Sequence, residues 1–177
     1  MTCRAHDLAA EKTLLEQEDV DLIIEMCQAL PDGATVVELG AGVGTTAVAV
    51  FCGCPDKRLY FTSVDYDNTS LAHTCEEVTA LGRFAEWESV LQGTAPAARF
   101  FTETSIDFLL LDASHSYEGF EEELRLWLPK IKAGGLVWIH DYIGRVGVRQ
   151  SVDEAVLQRR ISSTQQRGLS WAGTKCG

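Results

Sequence analysis

The sequence predicts a doubly wound α/β fold: a mostly parallel sheet of six or seven strands with helices on both faces. Three features of the 177-residue chain predict it. Short apolar runs alternate with longer amphipathic stretches, as strands alternate with helices in such folds. The runs, Ile106 to Leu111 above all, are too continuously apolar for a sheet with one wetted face. The residues best suited to chemistry follow directly on those runs, where ligands bind in sheets of this kind. The length is that of one domain, with residues 1–30 as an N-terminal helical segment and 31–177 as the α/β core.

Each element has a local cause. Asp7 to Leu30 carries Leu8, Leu14, Leu15, Leu22, Ile23 and Met26 among acids. That suits one or two amphipathic helices ending before the Pro31-Asp32-Gly33 turn. Thr35 to Leu39 is a buried strand stopped by Gly40, and Thr45 to Phe51 a tightly packed helix of small residues. Leu59 to Val64 is the second strand, and Asp67 caps a helix running to about Leu81. Phe84 to Val90 is the third strand, closed by Gln92-Gly93-Thr94. After the strand Ile106 to Leu111, a helix is expected from Tyr117 to Lys132, ended by Gly134-Gly135. Leu136 to Ile139 is the next buried strand. Val148 to Ile161 outlines one more helix, and Leu169-Ser170-Trp171 a last short strand. The acids Glu118 to Glu123 read as a solvated helix face.

Composition narrows the function. Hydrophobic residues are 46% and charged residues 23%, which excludes a mainly disordered chain. The net charge of −11 repels phosphate backbones and anionic lipid, so neither nucleic acid nor a membrane is an expected partner. The start of the chain lacks the apolar segment of a signal peptide, and a cytoplasmic location is expected. The six cysteines are accordingly expected to be reduced, most of them as small buried residues. Cys52-Gly53-Cys54 has the wrong spacing for a CxxC redox or zinc pair.

Gly40-Ala41-Gly42-Val43-Gly44 places three alternate glycines between a strand and a helix, which lets the chain turn sharply and a ligand approach the backbone. The dinucleotide pattern GxGxxG would need its third glycine at Thr45, so a nicotinamide-dependent oxidoreductase is disfavoured. Glu38, just upstream, would repel a pyrophosphate and attract a cationic ligand such as a sulfonium amino acid. A plain tight turn explains the loop equally well. Asp65, at the end of the second strand, tips the balance: a carboxylate there accepts hydrogen bonds from both hydroxyls of an adenosine ribose. Its competing role, capping the next helix, falls better to Asp67.

These residues, from Val36 to Gly44 with Val64-Asp65 and Gln92-Gly93-Thr94, resemble the class I S-adenosylmethionine-dependent methyltransferases, whose fold is Rossmann-like. Asp112-Ala113-Ser114-His115-Ser116-Tyr117 with His140-Asp141-Tyr142 resembles a narrower branch, the small-molecule and sugar O-methyltransferases and the related so-called cephalosporin hydroxylases. The likeness spans roughly residues 30 to 160. It implies that S-adenosylmethionine is held by Glu38, Gly40, Ala41, Gly42, Gly44, Thr45, Asp65, Tyr66, Gly93, Thr94 and Asp112. The acceptor would be a small hydroxylated molecule.

If the strands before them are adjacent, Asp112 and Asp141 face one cleft, and two close carboxylates call for a shared proton or cation. Mg²⁺ would supply it and make a bound hydroxyl more acidic. In the family resembled, the position of Asp112 is a metal ligand and that of His115 a catalytic base. The positions of His140 and Asp141 are further ligands there. A histidine at 140 departs from the usual pattern and suits Mn²⁺, Fe²⁺ or Zn²⁺ better than Mg²⁺. The plainer alternatives are helix caps at His115 and Asp141 and a sheet-edge hydrogen bond at His140. Such enzymes also carry a C-terminal hairpin and an N-terminal helical cap over the pocket. With only a short final strand expected here, the acceptor site is open or completed by a second subunit, and an exposed sheet edge invites a homodimer. The competing function is a cofactor-binding subunit without independent activity.

Overall fold

The computed structural model describes residues 3–12 and 15–177; the expectations placed on Met1, Thr2 and Leu14 lie outside the described residues. Two helices open the chain, α1 (Arg4–Lys12) and α2 (Gln17–Cys27), followed by β1 (Ala34–Leu39) and α3 (Thr45–Gly53). Then come β2 (Leu59–Asp65), α4 (Asn68–Ala80), β3 (Trp87–Leu91) and the single turn α5 (Thr94–Ala97). The second half runs β4 (Ile106–Leu111), α6 (Tyr117–Trp127), β5 (Ile131–Ile139), α7 (Val146–Leu157), β6 (Ile161–Arg167) and β7 (Ser170–Lys175).

One sheet holds all seven strands in the order β3-β2-β1-β4-β5-β7-β6. The first five are parallel, and β7 runs antiparallel between β5 and β6. Both faces are covered, as the continuous apolar runs require. Val36, Phe108 and Leu110 join the core under α1–α4, whereas Val37, Leu109 and Leu111 join the core under α6 and α7. Alternate side chains of each central strand thus enter opposite cores. No described helix is long and apolar enough to cross a membrane.

Four expectations are corrected. The helix from Tyr117 stops at Trp127, because Pro129 cannot donate the next backbone hydrogen bond; a 3₁₀ turn at Leu128–Lys130 leads straight into β5. Gly134-Gly135 therefore lies within β5, at a register shift against β4, with Gly134 at φ +75°. The third strand begins at Trp87, Phe84–Glu86 being a 3₁₀ turn. A C-terminal hairpin, β6–β7, is present. Its outer strand is polar and largely exposed (Ser162, Ser163, Thr164), so it lacks the alternation that marks a strand in sequence. Finally, Cys3 and Cys52 form a disulfide that joins α3 to the residue before α1. The expectation that the cysteines are reduced fails at this pair. Cys27 and Cys54 are free and buried, as expected.

Candidate active site

A cleft of about 360 Å³ opens beyond the carboxyl ends of the parallel strands. It spans the point where β1 neighbours β4 and the connections depart to opposite faces. Its size is that of a small-molecule site, roughly 300–1,000 Å³.

The glycine loop forms its floor. Gly40, Gly42 and Gly44 all adopt positive φ (+88°, +53° and +85°), a region side chains rarely enter. Gly40 is the most constrained, since a Cβ there would run into the Asp112 carbonyl. Gly40, Ala41, Gly42 and Thr45 line the cleft, while Gly44 stands behind them as the N-cap of α3. Asp65 reaches the cleft from the end of β2, its Oδ2 accepting from the Ala41 N–H at 2.9 Å and its Oδ1 from the Asp67 N–H at 2.8 Å. Each oxygen keeps a further lone pair. Asp67 caps α4 through the Thr69 N–H, as expected. Tyr66 lines the cleft at 84% exposure, and Thr94 lines it from the start of α5, with Gly93 one residue behind as N-cap.

Glu38 is placed differently from its expected role. Its side chain is buried beneath the sheet end, its Oε1 accepting from Ser63 Oγ at 2.5 Å, and it is not among the residues lining the cleft. Burial, reinforced by Asp65 and Asp112 and only partly offset by Ser63, pushes its carboxyl up to about 8. A group near neutral and turned from the cleft is poorly suited to attracting a cation.

At the other end of the cleft, adjacent strands bring Asp112, His115, His140 and Asp141 together. His115 is 42% exposed; its Nε2 lies 3.0 Å from Asp141 Oδ2 and 3.8 Å from Asp112 Oδ1. Asp112, opposed by burial and aided by Asp141, raises its pKa above the ordinary value. His140 is buried and stacked on Trp138, with Nδ1 3.0 Å from Asp112 Oδ1 and Nε2 facing Asp19 Oδ2 at 3.7 Å. Burial disfavours its charge, yet Asp112, Asp19 and Asp141 hold the ring protonated and raise its pKa to about 10. Asp141 adopts φ +59° just past β5. The plain capping roles fall elsewhere: Ser116 caps α6, and Arg145 is the N-cap residue of α7.

Asp112, His115 and Asp141 each offer a ligand atom within 4.8 Å of the others, a donor set that fits a divalent ion. His140, expected among the ligands, is outside that group; its Nδ1 pairs with Asp112 Oδ1. Two participants were missed from sequence. Asp19 on α2 stands far from the motifs in the chain and gives no local signal. Glu123 is 3% exposed, not solvated; it sits in phase with Phe120, Leu124 and Trp127, a signal that the surrounding acids masked.

A doubly wound sheet with a glycine-floored cleft and a carboxylate–imidazole cluster at its switch point defines an α/β domain built to hold a small ligand at that rim. Residues 37–142, more than half of the chain, match the family model described as a methyltransferase domain, and the chain belongs to that family. No curated protein matches the sequence. Among solved structures it is similar to a Corynebacterium glutamicum protein (TM-score 0.80, 13% identity, covering 98% of this chain and 88% of that one). It is similar also to a Podospora anserina methyltransferase, PaMTH1, solved with SAH bound (0.77, 10%, 98% and 87%). A third is a caffeoyl-CoA O-methyltransferase-like protein from Staphylococcus aureus (0.76, 12%, 98% and 90%). At these identities the likeness is one of fold.

Proposed function

We propose that the chain is an S-adenosylmethionine-dependent methyltransferase that methylates a hydroxyl of a small acceptor. The observation that carries this reading is the single cleft joining the glycine loop and Asp65 to the Asp112–His115–Asp141 cluster. When bound, S-adenosylmethionine supplies an electrophilic methyl group on a sulfonium. Asp65 would take the ribose hydroxyls, and the glycine loop would let the ligand lie against the backbone. The chain's main contribution to rate is to hold acceptor oxygen and methyl carbon in line, worth up to ~7–11 kcal/mol of barrier in favourable cases.

His115 would take the acceptor proton. Asp141 Oδ2 and Asp112 Oδ1, 3.0 and 3.8 Å from its Nε2, would stabilise the imidazolium once the proton has moved. The donor set described above favours a second reading, in which Asp112, His115 and Asp141 hold a divalent ion. Two carboxylates with one imidazole suit Mn²⁺, Fe²⁺ or Zn²⁺ better than Mg²⁺. Such an ion would lower the pKa of a bound hydroxyl and would leave His115 a ligand, not a base.

Calorimetry with S-adenosylhomocysteine tests the cofactor: the wild-type chain should bind it and Asp65→Ala should bind it far more weakly. A panel of hydroxylated acceptors then tests the reaction. Binding without turnover of any acceptor would favour the subunit reading. EDTA should leave turnover intact under the base reading; loss restored by Mn²⁺ would assign the cluster to a metal. The proposal includes a homodimer formed through a sheet edge, at β3 or β6. Light scattering that reports only monomer would end that part.

A further inference from the structure

Glu123 is a buried acid near the cleft for which the proposed reaction has no use. It occupies a core-facing position of α6, where an apolar residue would cost nothing in desolvation. Its Oε1 accepts from Thr94 Oγ1 at 2.8 Å, and its Oε2 is buried with no hydrogen-bond partner among the described residues. One turn further along the same helix, Trp127 Nε1 donates to the Thr94 carbonyl at 3.1 Å. α6 therefore grips Thr94 at both its side chain and its backbone. Thr94 needs that grip, because it opens a four-residue helix that has no side-chain cap of its own.

The grip has a chemical consequence. A threonine hydroxyl has one proton and two lone pairs. With the proton committed to Glu123, Thr94 offers the cleft only lone pairs, so it accepts and does not donate. The strand order places Thr94, after β3, on the far side of Asp65 from the Asp112 cluster. A nucleoside whose ribose meets Asp65 and whose reacting end meets His115 therefore has its base toward Thr94.

We infer that Glu123 is a positioning residue for base recognition: it holds Thr94 as an acceptor, so that the cleft selects a purine with an exocyclic amine over its oxo counterpart. The inference rests on the cofactor reading above and adds to it the residue that sets base preference. An amine donates to the oriented oxygen, whereas an oxo group would confront lone pair with lone pair.

Calorimetric titration with S-adenosylhomocysteine and with S-inosylhomocysteine, its 6-oxo analogue, tests this on wild type, Glu123→Leu and Thr94→Val. The wild type should prefer the amino compound by about tenfold, the worth of one hydrogen bond. Both variants should narrow that preference by roughly threefold or more. Glu123→Leu should keep or raise Tm, since a buried carboxylate gives way to an apolar side chain of similar size. A purely structural Glu123 would leave the preference untouched. Undiminished preference in Glu123→Leu, or none in the wild type, overturns the inference while leaving the cofactor reading standing. A wild-type chain that binds neither compound overturns the cofactor reading and the inference with it. Should Glu123→Leu fail to fold, Glu123→Met takes its place, because it likewise offers Thr94 no oxygen to donate to; the same narrowing is expected and its absence is equally decisive.

Discussion

Asp112 stands between two imidazoles of different character. His140, buried and facing three carboxylates, is a fixed cation that anchors Asp112 from behind. His115, half exposed beside Asp141, lines the cleft and is the imidazole that the proposed reaction would use to take the acceptor proton. His115→Ala should cut methyl transfer by about 10²–10⁴-fold, the usual worth of a positioned base, while S-adenosylhomocysteine binding by calorimetry stays within a factor of two or so. Equal loss of both would make His115 structural. Glu38 carries a different prediction. Its carboxyl stays protonated in the folded chain up to about pH 8, but ionises near 4.5, the ordinary value, once unfolded. The folded state binds the extra proton between those limits, so this group lowers stability as pH rises through the window. Glu38→Gln, neutral throughout, should gain stability relative to wild type from about pH 5 to about pH 8 and then level off. Denaturant melts across that range measure it; a constant difference would mean that Glu38 ionises at its ordinary value in the folded chain too.

At the level of elements, the cleft depends on how closely the β1–α3 loop approaches the end of β4. Gly40 has both a positive φ and the Asp112 carbonyl in the space a Cβ would fill. Gly40→Ala should cost roughly 1–3 kcal/mol for the backbone conformation alone, with more for the collision, and should weaken S-adenosylhomocysteine binding. Gly42→Ala, with open space around its Cβ, should be milder in melts and titrations alike. The disulfide between Cys3 and Cys52 closes a long loop, their separation being 49 residues. Cys3→Ser should lower stability by about 2–4 kcal/mol, and a reductant should lower the wild type to match. An unchanged melt under reductant would show that the bridge contributes nothing.

Across the whole molecule, Asp19 is the point where both ends of the chain meet the site. It is fully buried and accepts from the Glu16 N–H at 2.8 Å within the N-terminal segment. It also accepts from the Leu169 N–H at 2.9 Å and from Ser170 Oγ at 2.6 Å in the C-terminal hairpin. Its remaining neighbour is His140. Asp19→Ala strands a buried imidazolium and three donors, and should cost about 3–5 kcal/mol. Hydrogen exchange should report the loss in α2 and β7 before β1. Protection lost evenly across the sheet would mean that the ends are not separately held. The hairpin and the N-terminal helices are thus tied to each other and to the site through one buried carboxylate.

The amino-acid sequence determined by itself what depends on local chemistry: strands from apolar runs, the cap at Asp67, and the turn that only glycines make at Gly40 to Gly44. It also marked Asp65, Asp112, His115, His140 and Asp141, because residues that follow strands share one rim of a parallel sheet. Tertiary structure alone decided which of these touch. Whether His140 faces the cleft or Asp112, whether Glu38 is wet or dry, and where Glu123 and Asp19 point depend on contacts between residues tens of positions apart. Burial sets their charge, and burial is a property of the packed molecule that no short stretch of chain contains.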